Sequence, residues 1–506
     1  MSLKIKRLFY LLFVSFTIAF FFLHGGLWLL NSYSANWAYV FDQLGLAGVG
    51  VVVSFFWLKK KHVFRLSWWI ILLISFFVII THYNSFYRAV FDEWNNVIQG
   101  ILALHDGKLA PGGFFVTRER YAWSPFTILL EVVKFGSPHF NFIMSSFGIL
   151  MTIGASLAVA WLGGIISQKK TVALLAGLLV GISPNTFASL PWPSSVQGDA
   201  LGIILVALTV SVWIIARKSG DSKGILLALL FLAASLKGGG SVRTITSGSL
   251  LVMTDLILFS KDFKKRWLID WLGILLIGVF FYLSNDSIHL SVRSQHVSLV
   301  VRVAQIMELT TKSFIPPTFL AWVMGYLLSF KMKIIWVVAI GVAVFTLGSI
   351  LSLLCLRSKS LKIFSWGWLW FYLTVFYAPW FAEGYGSTLD SINDRMVFNL
   401  LDMGGYKYAY LPLVGAHIAV AIFLGMLAKN YKKLFVVIAI AIIGLRGYEF
   451  LKLDYKWRIE VATPNREWQG ALFSLLPPGS GDPKFPSILV LTDGKHNPLH
   501  SSFYSV

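Results

Sequence analysis

Runs of apolar residues, each about 17 to 25 long and so able to cross a bilayer, recur along almost the whole chain. No other feature constrains the fold as strongly. A soluble domain carries about 25% charged residues. Here the figure is 13% of 506 residues, against 57% hydrophobic ones. The pattern predicts an all-α, polytopic membrane protein and sets a soluble fold aside. The first run, 8–30, follows Lys4, Lys6 and Arg7 as a signal peptide would. It is too long for a signal core and carries no small-residue cleavage site, so it is read as a retained span.

Basic clusters punctuate these runs at 4–7, 59–65, 169–170, 217–223, 261–266, 357–362 and 429–433. Lys and Arg concentrate in short cytoplasmic loops of membrane proteins. That rule accounts for the net charge of +20 without nucleic acid as a partner. Placing every cluster in the cytoplasm predicts spans near 8–30, 37–58, 66–82, 142–165, 172–190, 200–216, 224–237, 246–260, 267–284, 334–355, 363–381, 408–428 and 434–450. That makes about thirteen transmembrane helices, with the N-terminus inside and the C-terminus outside. Residues 318–333, a short apolar run ending in Lys331-Met332-Lys333, are expected as a re-entrant or interfacial segment.

The polar segments 83–140, 191–199, 238–245, 285–333, 382–407 and 451–506 then all fall on the extracytoplasmic side. Three units follow: an N-terminal hairpin over 1–65, a core over 66–450 with its large loop 83–140, and a small C-terminal segment over 451–506. In the last, 467–476 reads as a short amphipathic helix and 487–492 as a strand, giving a small α/β appendage. No internal repeat is evident, which weighs against a transporter built from duplicated halves.

The loop 83–140 opens with paired carboxylates, Asp92 and Glu93. A glycosyl acceptor loses a proton as it attacks an anomeric carbon, and a carboxylate is a suitable base. The same group could instead hold a divalent cation, magnesium or manganese, against a phosphate leaving group. The plain alternative is an acidic pair capping a helix that starts near Trp94. Asp199 opens a predicted span on the same side, where helix-dipole stabilisation is the bland explanation and donor or metal binding the functional one.

Basic residues on this face run against the positive-inside trend: Arg88, Lys108, Arg118, Arg120, Lys134, Lys237, Arg243, Arg293, Arg302, Arg395 and Lys407. They suit a lipid-linked phosphate, which Arg can grip with two N–H groups, although attraction to anionic headgroups explains several. Lys237 precedes Gly238-Gly239-Gly240, where backbone and ligand can approach closely. Trp94, Trp123 and Trp192 lie in the outer segments and could stack on a sugar. His289, His296, His496 and His500 show no metal-ligand spacing, and the one cysteine, Cys355, excludes a disulfide framework.

In order and spacing these residues resemble the GT-C superfamily of polyprenyl-phosphate-dependent glycosyltransferases, in the branch of protein O-mannosyltransferases and lipid A aminoarabinose transferases. The likeness is carried by Asp92-Glu93, by 101–107 ending in Asp106-Gly107, by Gly113-Phe114-Phe115 and by Trp123-Ser124-Pro125-Phe126. It continues in Gln197-Gly198-Asp199-Ala200, in Ser235-Leu236-Lys237-Gly238 and in Lys407-Tyr408-Ala409-Tyr410-Leu411-Pro412. It spans about 85–245; beyond that only the topology agrees. The extra hairpin before the large loop, Trp94, and the single Pro125 depart from the family pattern.

The resemblance implies a sugar transferase of the bacterial cytoplasmic membrane, working on its outer face with a polyprenyl-phosphate-linked donor and a lipid, glycan or protein acceptor. It implies Asp92 as the catalytic carboxylate with Glu93 in support. Asp199, Lys237, Arg243, Arg395 and Lys407 would hold the donor, and Arg88, Trp94, Arg118, Arg120 and Trp123 would line the substrate loop. Asp92 and Asp199 would be the ligands of any metal. The alternatives are a transporter or flippase of lipid-linked glycans, a polysaccharide polymerase, or a catalytically silent relative.

Overall fold

The computed structural model of the chain describes residues 64–82, 140–183, 199–237, 241–284, 298–314, 333–356, 362–381 and 410–457. Among them all regular structure is helical: α1 (Trp68–His82), α2 (Phe140–Ser167), α3 (Lys170–Gly181), α4 (Asp199–Ser219), α5 (Ser222–Lys237) and α6 (Ser241–Leu258) come first. A 3-10 turn at Ser260–Asp262 leads to α7 (Trp267–Ser284), α8 (Leu299–Phe314), α9 (Lys333–Leu356), α10 (Lys362–Phe381), α11 (Tyr410–Asn430) and α12 (Lys432–Trp457). Helices are what such apolar runs must form where no water can pair backbone N–H and C=O groups. Among the described residues four stretches are long and apolar enough to cross a membrane: Gly148–Ser167, Gly202–Ser219, Val338–Leu356 and Leu413–Asn430. The runs 8–30 and 37–58, the loop 83–139 and the C-terminal appendage beyond Trp457 lie outside the described residues.

Close packing depends on small residues at helix crossings, as expected where helix association cannot draw on the hydrophobic effect. Gly177 of α3 sits on Ala160 and the Ser156 carbonyl of α2, with Ile74 of α1 beside it. Gly367 of α10 and Gly415 of α11 face each other so closely that a methyl group at either would meet the other's backbone oxygen, at 2.8 and 2.5 Å. Around these crossings Trp213, Trp366, Trp370 and Phe371 are fully buried. The outer surface is apolar instead: Leu272, Leu275 and Leu276 of α7, Leu347, Leu353 and Leu354 of α9, and Val436, Val437 and Ile440 of α12 are exposed. A large continuous apolar exterior is the surface a lipid-embedded bundle presents.

Side-chain contacts fix the direction of each helix. Gly163 of α2 lies against Ala176 of α3, so these two run antiparallel, while Lys218 of α4 donates to the Ile165 carbonyl at 3.1 Å, so α4 runs with α2. Trp366 of α10 donates to Thr254 of α6 at 2.9 Å, joining the start of one to the end of the other. Ser365 of α10 donates to the Ser352 carbonyl of α9 at 2.7 Å, and Arg446 of α12 to Ser183 at 3.4 Å. Taken together, α2, α4, α6, α8, α9 and α11 begin at one end of the bundle, and α1, α3, α5, α7, α10 and α12 finish there. The opposite end carries the brief connections 168–169, 220–221, 259–266 and 431.

Helix α8 lies within 285–333, a segment expected as extracytoplasmic polar chain. Its Arg302, Gln305 and Glu308 recur at a spacing of three and break up the hydropathy, so no span is legible there. Arg302, one of the basic residues expected on the extracytoplasmic side, is buried, at 4% exposure.

Candidate functional site

The first ends to consider are those where the long connections attach. Asp199 is the first residue of α4 and Lys237 the last of α5, and α4 and α5 are antiparallel neighbours joined by 220–221 at the other end. Arg243 lies in the first turn of α6, six residues beyond Lys237. The backbone thus gathers Asp199, Lys237 and Arg243 at one end of three adjacent helices. The connection 83–139, bearing Asp92 and Glu93, leaves from the end of α1 and rejoins at the start of α2, at this same end. The connection 382–409, bearing Arg395 and Lys407, likewise runs from the end of α10 to the start of α11. Asp92, Glu93, Arg88, Trp94, Arg118, Arg120, Trp123, Arg395 and Lys407 themselves lie outside the described residues.

The opposite end holds an ion cluster that hydropathy does not reveal. Arg217, near the end of α4, donates from Nε and Nη2 to the two oxygens of Asp255 on α6, at 2.9 and 2.8 Å, and from Nη1 to Asp270 on α7. Trp213 and Trp271 each donate their indole N–H to Asp255 at 2.9 Å. The guanidinium is also flanked by the rings of Trp213 and Trp267, whose centroids lie 4.2 and 4.3 Å from Cζ. Asp255 therefore accepts four hydrogen bonds and is wholly buried, with Arg217 at 3% side-chain exposure. Both oxygens of Asp255 are thereby taken up. A buried charge network satisfied to this degree is a clamp holding α4, α6 and α7 in register. Arg217 belongs to the basic cluster 217–223 expected in a cytoplasmic turn, and it is buried with partners 38 and 53 residues further along the chain.

Between the two ends lies α8. Arg302 donates to Gln305 at 3.2 Å and Glu308 continues this buried row, while further along α8 Thr310, Thr311 and Ser313 are buried as well. Gly341 of α9 receives this helix, with the Met307 carbonyl 2.3 Å from where a methyl group at Gly341 would stand.

A third polar group sits between α3, α11 and α12. Arg446, half-buried, donates to Ser183, with Glu449 one turn further along α12. His417 of α11 is 4% exposed, and neither of its ring nitrogens has a hydrogen-bond partner among the described residues. Buried polar atoms without partners are rare enough to call for a reason, and a site that must meet a substrate is one of them. The single signal in the sequence is a histidine and an arginine standing inside otherwise apolar runs, which marks function by default. Among the described residues no three His, Cys, Asp or Glu side chains gather as a metal site would require.

No protein-family model matches the chain, and no curated protein matches it.

Proposed function

We propose that this chain is a membrane-embedded glycosyltransferase of GT-C type. In this reading it has about thirteen spans in the bacterial cytoplasmic membrane, and the end bearing the long connections is extracytoplasmic. One observation carries the proposal. Asp199, Lys237 and Arg243 share one end of the bundle, and the connections bearing Asp92-Glu93 and Arg395-Lys407 attach at that same end. A carboxylate base and several cations converging at a membrane surface fit a donor whose leaving group is a lipid phosphate.

The acceptor hydroxyl gives its proton to Asp92 while its oxygen attacks the anomeric carbon. The bond from that carbon to the donor phosphate breaks, and its electron pair leaves with the polyprenyl phosphate. Lys237, Arg243, Arg395 and Lys407 stabilise that charge. A magnesium or manganese ion on Asp92 and Asp199 would supply further Lewis-acid stabilisation. Protein in nanodiscs, offered a panel of polyprenyl-phosphate sugars with acceptor, is expected to release polyprenyl phosphate, and Asp92→Asn to abolish the release. Equal release from both proteins would remove Asp92 from the mechanism.

A second reading, a flippase of lipid-linked glycans, is favoured by the buried charged row of α8, since transporters place ionisable residues inside the bundle. It predicts movement of intact lipid-linked sugar across proteoliposomes with no covalent transfer.

A further inference from the structure

Helix α8 is inside out by the standards of a water-soluble protein. Leu299, Val300 and Val303 are 73%, 66% and 44% exposed, whereas Arg302, Gln305 and Glu308 on the opposite face are 4%, 0% and 2% exposed. Charged residues are almost never fully buried beneath an apolar outer face in water. In lipid the arrangement is the expected one, because ionisable side chains must turn to the protein interior.

Its depth points the same way. Both α8 and α9 start from the end bearing the long connections, and Met307 rests on Gly341 in the first half of α9. Phe314, the last residue of α8, stacks with Trp368 and Phe371 at centroid distances of 5.2 and 5.0 Å, and these belong to the half of α10 nearest the opposite end. Ile306 and Leu309 join Phe371, Val375, Leu413 and Ala416 in one buried cluster. Sixteen residues rise only about 24 Å, less than a hydrocarbon core of about 30 Å. The chain is nonetheless back at its starting end at Lys333, where α9 begins. So α8 descends past the middle of the bundle, and the next described helix begins back at the end from which α8 started.

We infer that α8 is a re-entrant arm set into the bilayer from the end bearing the long connections. Its Leu299-Val300-Val303 face lies against lipid acyl chains, and its Arg302-Gln305-Glu308 row faces the bundle interior. The inference rests on the membrane reading above, but not on glycosyl transfer. Acyl chains are the occupant of this face for two reasons. The neighbouring helix α9 is long and apolar enough to span, and it leaves Val342, Leu347, Leu351 and Leu354 exposed, the surface of a helix bathed in lipid. The polar row is already committed to the other side.

The test uses single cysteines in a Cys355→Ala background, labelled with an environment-sensitive fluorophore and reconstituted in phosphatidylcholine liposomes. Reporters are Val303→Cys on α8, Leu347→Cys as the membrane control and Lys264→Cys, in an exposed turn, as the aqueous control. Each is quenched in turn by spin-labelled phosphatidylcholine and by aqueous iodide. The expected result is lipid quenching at Val303 as strong as at Leu347, with iodide quenching well below that at Lys264. Iodide quenching at Val303 matching Lys264 would overturn the inference, because the arm would then lie in water. Protection from both quenchers would overturn it too, because another segment or a second copy would cover the face. Failure of lipid to quench Leu347 would sink the membrane reading itself, separating that failure from one confined to α8.

Discussion

Replacing Asp255 with Ala should be among the most damaging single changes in the described bundle. Four hydrogen bonds disappear together: two from Arg217 and one each from Trp213 and Trp271. Inside membranes such bonds average about 0.6 kcal/mol each, because the unfolded chain also finds partners, so their loss alone amounts to about 2.4 kcal/mol. The guanidinium then keeps only Asp270, which is partly exposed, and a buried pair broken on one side usually loses about 3–5 kcal/mol. The remaining contact with Asp270 and the two flanking indole rings hold the expected loss near the lower bound, about 3 kcal/mol. The assay is reversible unfolding in mixed micelles with a rising fraction of ionic detergent, followed by tryptophan fluorescence. Asp270→Asn, which leaves the Asp255 bonds intact, should lose only about 1 kcal/mol. The paired change Arg217→Met with Asp255→Leu should lose distinctly less than the sum of its parts, because neither partner is then stranded. A loss below about 1 kcal/mol for Asp255→Ala, or strict additivity in the paired change, would refute the clamp.

Three further outcomes follow from the same geometry. Gly415→Val should abolish folded protein in a size-exclusion assay, because its Cβ would stand 2.5 Å from the Gly367 carbonyl oxygen, which has nowhere to move. Trp366→Phe removes one buried donor to Thr254 while keeping most of the ring, and should lower stability by about 1 kcal/mol in the detergent titration. Lys237→Ala should raise the donor concentration needed for half-maximal polyprenyl phosphate release and leave the detergent midpoint unchanged, since it is the last residue of α5.

Hydropathy makes the uniform helices legible and the polar ones obscure. The run 267–284 coincides with α7, and 142–165 and 363–381 fall within α2 (Phe140–Ser167) and α10 (Lys362–Phe381). Helix α6 starts at Ser241 rather than at 246, because its first turns are rich in Ser and Thr, whose hydroxyls hide the helix from an apolar count. Helix α8 was illegible for the reason that makes it informative: Arg302, Gln305 and Glu308 look like solvated loop residues until a buried face is there to receive them. Charge is written in the sequence but its partner is not. Arg217 counted as one more cytoplasmic cation, and only the packing of α4 on α6 and α7 brings Asp255 and Asp270 to it. Of the candidate site, the order of Asp199, Lys237 and Arg243 along the chain was readable. That three helices bring them to one end required the fold.

Two of the bundle's polar clusters, those of Asp255 and His417, differ in a way that separates scaffold from function. Every acceptor position at Asp255 that the neighbouring donors can reach is used, and such a network rigidifies without being available. His417, nearer the end bearing the long connections, is buried with both ring nitrogens unmatched among the described residues. An unpaired buried polar group costs about 1–3 kcal/mol, so a scaffold under no other demand would hold an apolar side chain there. His417→Leu, similar in bulk and lacking both nitrogens, should therefore raise the detergent midpoint by the equivalent of about 1 kcal/mol. If the histidine is retained for its contact with substrate, the same variant should lose polyprenyl phosphate release while gaining stability, the trade-off expected of a residue kept for function. Stability gained with activity intact would assign His417 to neither role. Stability lost would mean that the ring is held by contacts beyond the described residues, and the argument from unmatched nitrogens would fail.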